Sequence, residues 1–261
     1  MPYEYGSRLS IEKDWDGIAG ALFLEKYWWI TIPISLVYVF VIFSIQHLMR
    51  DRKPFDLKSP LIAWNAMLAI FSIVGTIRSG EEFLFAVTTH PLQDSICHTL
   101  DITGPVGFWA YSFGWSKVVE LGDTIFLVLR KRPLIFLHWY HHIAVMIYTL
   151  HALMQCTAGG RWFIFMNFFV HSIMYSYYAL SAWGIRFPKG LSMTITTLQT
   201  MQMFVGMAIS VAVLGVKLSG RFCEQSYENL ALCFFIYATF AALFINFFRN
   251  AYFRKSKSKQ Q

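Results

Sequence analysis

The sequence predicts an all-α membrane protein with seven transmembrane helices. Its composition, a set of seven apolar segments and the alternation of basic residues between their connections all point there. Of the 261 residues, 56% are hydrophobic and 14% charged, whereas a soluble domain carries roughly a quarter charged residues. A spanning helix needs about 20 mostly apolar residues, so seven such segments leave little chain for anything else.

The segments run, in order, from Tyr27 to Met49, Pro60 to Ser79, Val106 to Leu129, Leu134 to Met154, Trp162 to Trp183, Leu191 to Leu214 and Leu230 to Tyr252. Turn formers and charges separate them: Asp51-Arg52-Lys53-Pro54, Arg130-Lys131-Arg132-Pro133, Ala158-Gly159-Gly160, Pro188-Lys189-Gly190 and Ser219-Gly220-Arg221. The third and sixth hold the most polar residues and are the weakest spans. With no Gly/Ser linker, repeat or low-complexity stretch, residues 1–261 read as a single polytopic domain, with 1–26 an N-terminal segment and 254–261 a tail. Met1 to Asp16 lack a basic stretch followed by a short apolar core, so no cleavable signal peptide is expected.

Orientation follows from Lys and Arg in short loops. One set of loops holds Arg50, Arg52, Lys53 and Lys58, then Arg130, Lys131 and Arg132, then Arg186 and Lys189; the tail adds Arg249, Arg254, Lys255, Lys257 and Lys259. The opposite loops hold Glu81, Glu82, Asp94, Asp101, Glu224 and Glu228. The tail is therefore expected in the cytosol and the N-terminus across the membrane. This arrangement accounts for the net charge of +7 and makes nucleic acid an unneeded partner. The four cysteines form no CxxC pattern, which argues against a thiolate metal site. Cys97 and Cys223 fall in two non-cytosolic loops and either bridge or remain thiols; Cys156 lies near the same face as a competing partner.

Ionisable groups inside spans are costly and mark function by default. The fourth segment carries His138, His141 and His142, at positions that share one helix face. The third carries Lys117, Glu120 and Asp123 on one broad face. All three are candidate catalytic residues; a structural ion pair with Glu120 is the alternative reading of Lys117, and one role for Asp123 is to accept an imidazole N–H and fix its tautomer. The fifth carries Asn167, His171, Tyr175 and Tyr178 in one stripe, and the sixth carries Thr196, Gln199 and Gln202, which serve a site or only hold neighbours together. At about 1.5 Å per residue, the depths of His141, Asp123, Tyr175 and Gln199 agree to within a few ångströms. One polar chamber open to the basic side is expected, with apolar walls beyond it.

Four imidazoles at that depth could hold one metal but are too few for the two-metal sites of membrane desaturases and hydroxylases. A seven-helix receptor or transporter is the non-enzyme alternative. Nucleophilic and acid–base catalysis fits better: an imidazole can carry an acyl group, and a second can act as base or stabilise an oxyanion. A deep apolar chamber suits a lipid chain, and a basic mouth suits a phosphorylated carrier.

These motifs resemble those of the very-long-chain fatty acid elongases. Lys117-Val118-Val119-Glu120-Leu121-Gly122-Asp123-Thr124 is similar to the family's KxxELxDT motif, and His138 to His142 to its HxxHH box. Asn167 to Tyr178 resembles NxxxHxxMYxYY, and Thr196 to Gln202 resembles TxxQxxQ. The resemblance implies that the last six helices form a closed bundle around a substrate tunnel. It implies condensation of a long-chain acyl-CoA with malonyl-CoA in the endoplasmic reticulum membrane, giving 3-ketoacyl-CoA, CO2 and CoA without a metal or redox cofactor. It makes His141 the acyl carrier, with His171 assisting and His138 and His142 orienting groups or moving protons. Arg130 and Lys131 are candidate ligands for the carrier's phosphates. Leu134 to Tyr140 looks like the branch acting on saturated and monounsaturated chains near C16. Lys257 and Lys259 resemble a dilysine retrieval signal. Other enzymes of the elongation cycle and a second copy of the chain are candidate partners.

Overall fold

The computed structural model describes residues 3–253, and among these the regular structure is helical throughout. The tail expected at 254–261, with Lys257 and Lys259, lies outside the described residues.

A short helix α1 (Ser10–Lys13) precedes α2 (Gly17–Tyr27), which continues through one 3-10 turn, Trp28–Ile30, into α3 (Thr31–Leu48). Next come α4 (Lys58–Thr89), the short α5 (Leu92–Cys97), α6 (Pro105–Val119) and α7 (Gly122–Leu129). The remaining helices are α8 (Phe136–Met154), α9 (Gly160–Trp183), α10 (Lys189–Leu218) and α11 (Tyr227–Phe248), the last passing into a π turn at Arg249–Phe253. Helix starts follow local chemistry. Asp16 accepts from the Ala19 N–H at 3.0 Å at the head of α2, and Ser226 accepts from the Asn229 N–H at 3.1 Å at the head of α11. Pro105 opens α6 at a position whose N–H would be unpaired anyway.

Five helical stretches are long and apolar enough to cross a membrane: Gly17–Leu48, Lys58–Thr89, Gly160–Trp183, Lys189–Leu218 and Tyr227–Phe253. The two expected spans that fall short are the third, which is broken into α6 and α7, and the fourth, α8, which carries the histidines. The sixth, expected to be weak, meets the criterion. The first stretch begins at Gly17 rather than Tyr27, and the second runs to Thr89 rather than Ser79. That second extension takes Glu81 and Glu82 out of the expected loop and into α4. The helix tolerates them because each has a cation: Arg78 Nη1 lies 2.7 Å from Glu81 Oε1, and Arg161 Nη2 lies 2.6 Å from Glu82 Oε1.

Packing partners form a closed ring. Helix α4 packs on α9, α9 on α10, α10 on α11, α11 on α8, α8 on α6, and α6 back on α4. Helices α2 and α3 lie outside the ring against α6, α7 and α8. Lipid tails give helices little hydrophobic reason to associate, so close packing and internal polar bonds must hold the ring. The α4–α9 contact illustrates the first. Gly75 lets α4 approach until a Cβ there would sit 2.5 Å from the ring of Phe168. Phe168 is itself buried against Phe71, Trp109 and Phe113.

Polar bonds lock one end of the ring. Cys97 at the end of α5 is disulfide-bonded to Cys223 beyond α10, which leaves Cys156 a free thiol. Arg161, 2% exposed at the head of α9, donates to both oxygens of Glu82 and to the carbonyls of Ser95 and His98. Arg78 pulls the N-terminal segment over the same end. It donates to Glu12 from Nε and Nη2 at 2.8 and 2.7 Å and to the Ser7 carbonyl at 2.9 Å, and it lies over the Tyr5 ring. The opposite end carries the basic loops.

Candidate active site

The N-terminal half of α8 places His138, His141 and His142 around one cavity of about 190 Å³. Their spacing does this, since i, i+3 and i+4 share a face. The His138 and His142 rings are 4.6 Å apart, and those of His141 and His142 are 5.7 Å apart. Helix α9 adds Asn167, His171, Tyr175 and Tyr178, α10 adds Gln199 and Gln202, and the α6–α7 junction adds Glu120 and Asp123. Side chains expected from four different segments thus surround one space. Phe244 and Phe247 of α11 complete its apolar wall.

The junction is where the third segment departs from a single helix. Between α6 and α7 the backbone tightens: Leu121 N–H donates to Val118 O, Asp123 N–H to Glu120 O and Thr124 N–H to Leu121 O. These are i→i+3 bonds of 3-10 character, a feature frequent at functional breaks. Lys117, 2% exposed, donates to Glu120 Oε1 and to Asn167 Oδ1, each at 2.8 Å. Its ammonium also lies 4.3 Å from the centre of the Phe113 ring. Ser116 donates to the same Glu120 oxygen at 3.0 Å. His171 joins this network from both sides, with Nδ1 3.8 Å from Glu120 Oε1 and Nε2 3.3 Å from Asn167 Nδ2. Lys117 therefore does not line the cavity itself. It braces Glu120 and Asn167, which do.

Asp123 departs from expectation. Among the described residues no histidine donates to it. Instead Trp64 Nε1 donates to Oδ1 at 2.6 Å and Tyr175 Oη donates to Oδ2 at 2.7 Å. Trp64, on α4, does not stand out in the sequence because an indole in an apolar segment looks like packing. The tight α7 start makes room for it, since a Cβ on Gly122 would lie 2.6 Å from the Trp64 ring. His138 turns to Thr124 instead, with Nε2 3.0 Å from its Oγ1. Thr124, the last residue of the KxxELxDT-like motif, could have been found there.

His141 and His142 differ from His138 and His171, since among the described residues no hydrogen bond engages their ring nitrogens. Of the two, His142 is buried and His141 is the more exposed, with ring contacts to Phe240, Phe244 and His142. Gln199 donates to Met174 Sδ at 3.1 Å, so it both lines the cavity and ties α10 to α9. Thr196 does not reach the cavity; it bonds to the Ser192 carbonyl and to Tyr252.

A second opening of about 420 Å³ shares Asp123, His138, Tyr175 and Tyr178 with the chamber and is rimmed by Arg130 and Arg132. Lys131 is absent from that rim. It occupies the left-handed position after α7, with φ 54°, in a Schellman-type turn where Arg132 N–H donates to Leu127 O and Lys131 N–H to Val128 O. Its Nζ donates to the carbonyls of Arg50 and Arg52 at 3.0 Å each. Arg132 takes the place expected for Lys131. Among the described residues no three His, Cys, Asp or Glu side chains are placed to hold a metal ion.

The GNS1/SUR4 family model (ELO) matches residues 23–260. The chain is 48% identical over 254 residues to "Putative fatty acid elongase 3" of Caenorhabditis elegans, covering 97% of this chain and 79% of that protein. It is 43% identical over 243 residues to "Very long chain fatty acid elongase 3" of Homo sapiens, covering 92% and 90%. It is 41% identical over 246 residues to "Very long chain fatty acid elongase 6" of Gallus gallus, covering 94% and 92%. With a family match over most of its length and its apolar helices, the chain is a multi-pass membrane protein that belongs to the GNS1/SUR4 family of fatty acid elongases.

Proposed function

We propose that this protein is the condensing enzyme of fatty acid elongation, a 3-oxoacyl-CoA synthase that joins a saturated or monounsaturated acyl-CoA near C16 to malonyl-CoA. The observation that carries the reading is His141, whose nitrogens make no hydrogen bond to a described residue in a chamber built from four polar segments, and which is more exposed there than the likewise unbonded His142. An unengaged imidazole is free to attack. His141 attacks the thioester carbonyl, the C–S bond breaks, and CoA leaves as its thiol with the imidazole proton. The acyl group then rests on His141. Malonyl-CoA loses CO2, and the carbanion formed attacks the acyl carbonyl. A C–C bond forms, the C–N bond breaks, and the departing imidazole nitrogen takes one proton from solvent, regenerating His141. Substrates alone supply the electrons, so no cofactor is required.

The remaining groups have roles consistent with their positions. Lys117, Glu120 and Asn167 hold His171 in place beside the reacting carbons. Tyr178, Gln199 and Gln202 offer hydrogen-bonding groups along the wall. Arg130 and Arg132 at the mouth suit the phosphates of CoA. In this reading all seven helical segments span the endoplasmic reticulum membrane as one domain, with the N-terminus lumenal and the mouth and tail cytosolic. The acyl chain extends from His141 toward the disulfide end.

Purified protein mixed with palmitoyl-CoA alone tests the acyl carrier. An added palmitoyl mass with stoichiometric CoA release, absent in His141→Ala, is expected. Neither signal, with 3-ketoacyl product still forming once malonyl-CoA is added, would replace the acyl-imidazole by direct condensation.

A further inference from the structure

Tyr38 lies on α3, outside the six-helix ring, yet its side chain is buried. Its hydroxyl is 2.5 Å from Thr124 Oγ1. Thr124 has no exposed surface, and its Oγ1 is 3.0 Å from His138 Nε2. These three groups form a chain from the outer helix into the chamber.

The protons in this chain can be counted. Among the described residues the Tyr38 hydroxyl has no other hydrogen-bond partner, so its one proton is used only if it is donated to Thr124. Thr124 Oγ1 then accepts from Tyr38, and its own proton goes to its other partner, His138 Nε2. That nitrogen must accept, so the ring hydrogen sits on Nδ1. The opposite direction would have His138 donate to Thr124 and Thr124 to Tyr38, leaving the tyrosine proton buried without an acceptor. Such orphaned donors are rare in folded proteins because they lose their bond to water and gain nothing.

We propose that Tyr38 is a positioning residue that acts through Thr124 to hold His138 as its Nδ1–H tautomer. Nδ1 makes no hydrogen bond to a described residue, so the ring keeps an N–H to offer in the chamber rather than a second bare lone pair. Resting on the condensing reading above, that N–H is suited to the negative charge that develops on a thioester oxygen, which a lone pair would repel. The tautomer itself follows from the hydrogen bonds and does not depend on the reaction.

The test is long-range 1H–15N correlation spectroscopy of the full chain, labelled with 15N-histidine and held in detergent. His138→Gln identifies the signal by subtraction. The wild type is expected to show a protonated Nδ1 and an unprotonated Nε2 at His138. In Tyr38→Phe the Nε2–H form should appear, and the condensation kcat should fall roughly 3- to 10-fold, the loss of one hydrogen bond, with the KM of both substrates unchanged. A wild-type His138 protonated on Nε2 would overturn the proposal, as would a Tyr38→Phe protein with unaltered tautomer and kcat. Should Tyr38→Phe not fold, Thr124→Ser must keep the Nδ1–H signal and Thr124→Val must lose it. A protein with the expected tautomer but no condensation product would sustain the hydrogen-bond chain while removing the enzymatic reading.

Discussion

Arg161 offers a sharp test of what holds the ring closed. Arg161 and Glu82 are 2% and 1% exposed, and Arg161 also serves the carbonyls of Ser95 and His98 at 3.0 Å each. Arg161→Met preserves much of the side-chain volume but leaves Glu82 without its cation. Removing one partner of a buried pair costs about 3–5 kcal/mol, because the other charge stays buried and bare. The two carbonyls add about 1 kcal/mol each where water cannot replace the donor. Replacing both partners, Glu82→Met with Arg161→Met, removes the bare charge and should restore most of the stability lost to it. Detergent-solubilised protein can be heated for fixed times and the remaining monodisperse fraction read by size-exclusion chromatography. Inactivation of this kind is a rate, so the three proteins are compared by half-life. The order expected is wild type, then the double variant, then Arg161→Met, with the last far behind. A double variant no longer-lived than Arg161→Met, or an Arg161→Met protein as durable as the wild type, would refute this reasoning.

The clasp between Arg78 and the N-terminal segment is expected to depend on pH. Burial pushes the Glu12 carboxyl upward, but hydrogen bonds from Arg78, Trp109 and the Leu9 N–H, with the arginine charge, outweigh it and hold Glu12 below its ordinary value of 4.5. A lowered folded value means the contribution is complete above pH 4.5 and is lost as pH falls through the folded value. Hydrogen-exchange protection over residues 3–16, with rates corrected for the intrinsic pH dependence of amide exchange, should therefore fall below pH 4.5 in the wild type and be low and unchanged with pH in Glu12→Gln; equal protection profiles would contradict the assignment. The Cys97–Cys223 bridge closes a separation of 126 residues, for which loop-entropy models give about 5 kcal/mol and measured native bridges typically about 2–5 kcal/mol. Reductant should shorten the thermal half-life of the wild type and not that of a Cys97→Ser, Cys223→Ser double variant; no effect on a demonstrably reduced wild type would count against the bridge as a stabiliser.

The histidine cluster was legible in the sequence because it rests on a periodicity the structure cannot alter: His138, His141 and His142 must share a face if the segment is a helix. The stripe of Asn167, His171, Tyr175 and Tyr178 was legible for the same reason. What periodicity misses is the partner on another helix. Trp64 reaches Asp123 from α4 because Gly122 leaves room, and nothing local to Trp64 announces that. Lys131 departs from expectation because a turn, not a helix, sets its direction: the left-handed backbone after α7 aims it at Arg50 and Arg52. Glu81 and Glu82 look like loop charges because charge near a segment end usually marks the water. Their cations, Arg78 and Arg161, sit three residues away on the same helix and on a distant one. Only the first of those could be read from sequence spacing.

The histidine chamber, in the reading proposed above, joins two acyl groups. The most direct measurement incubates purified wild-type protein and His141→Ala with palmitoyl-CoA and carbon-labelled malonyl-CoA, resolving thioester products by mass. Labelled 3-ketoacyl-CoA two carbons longer than palmitoyl, with one CO2 per product, is expected from the wild type and none above background from His141→Ala. Product formed equally by the variant would contradict the role given to His141, and no product from the wild type with any acyl chain would contradict the condensing reaction itself.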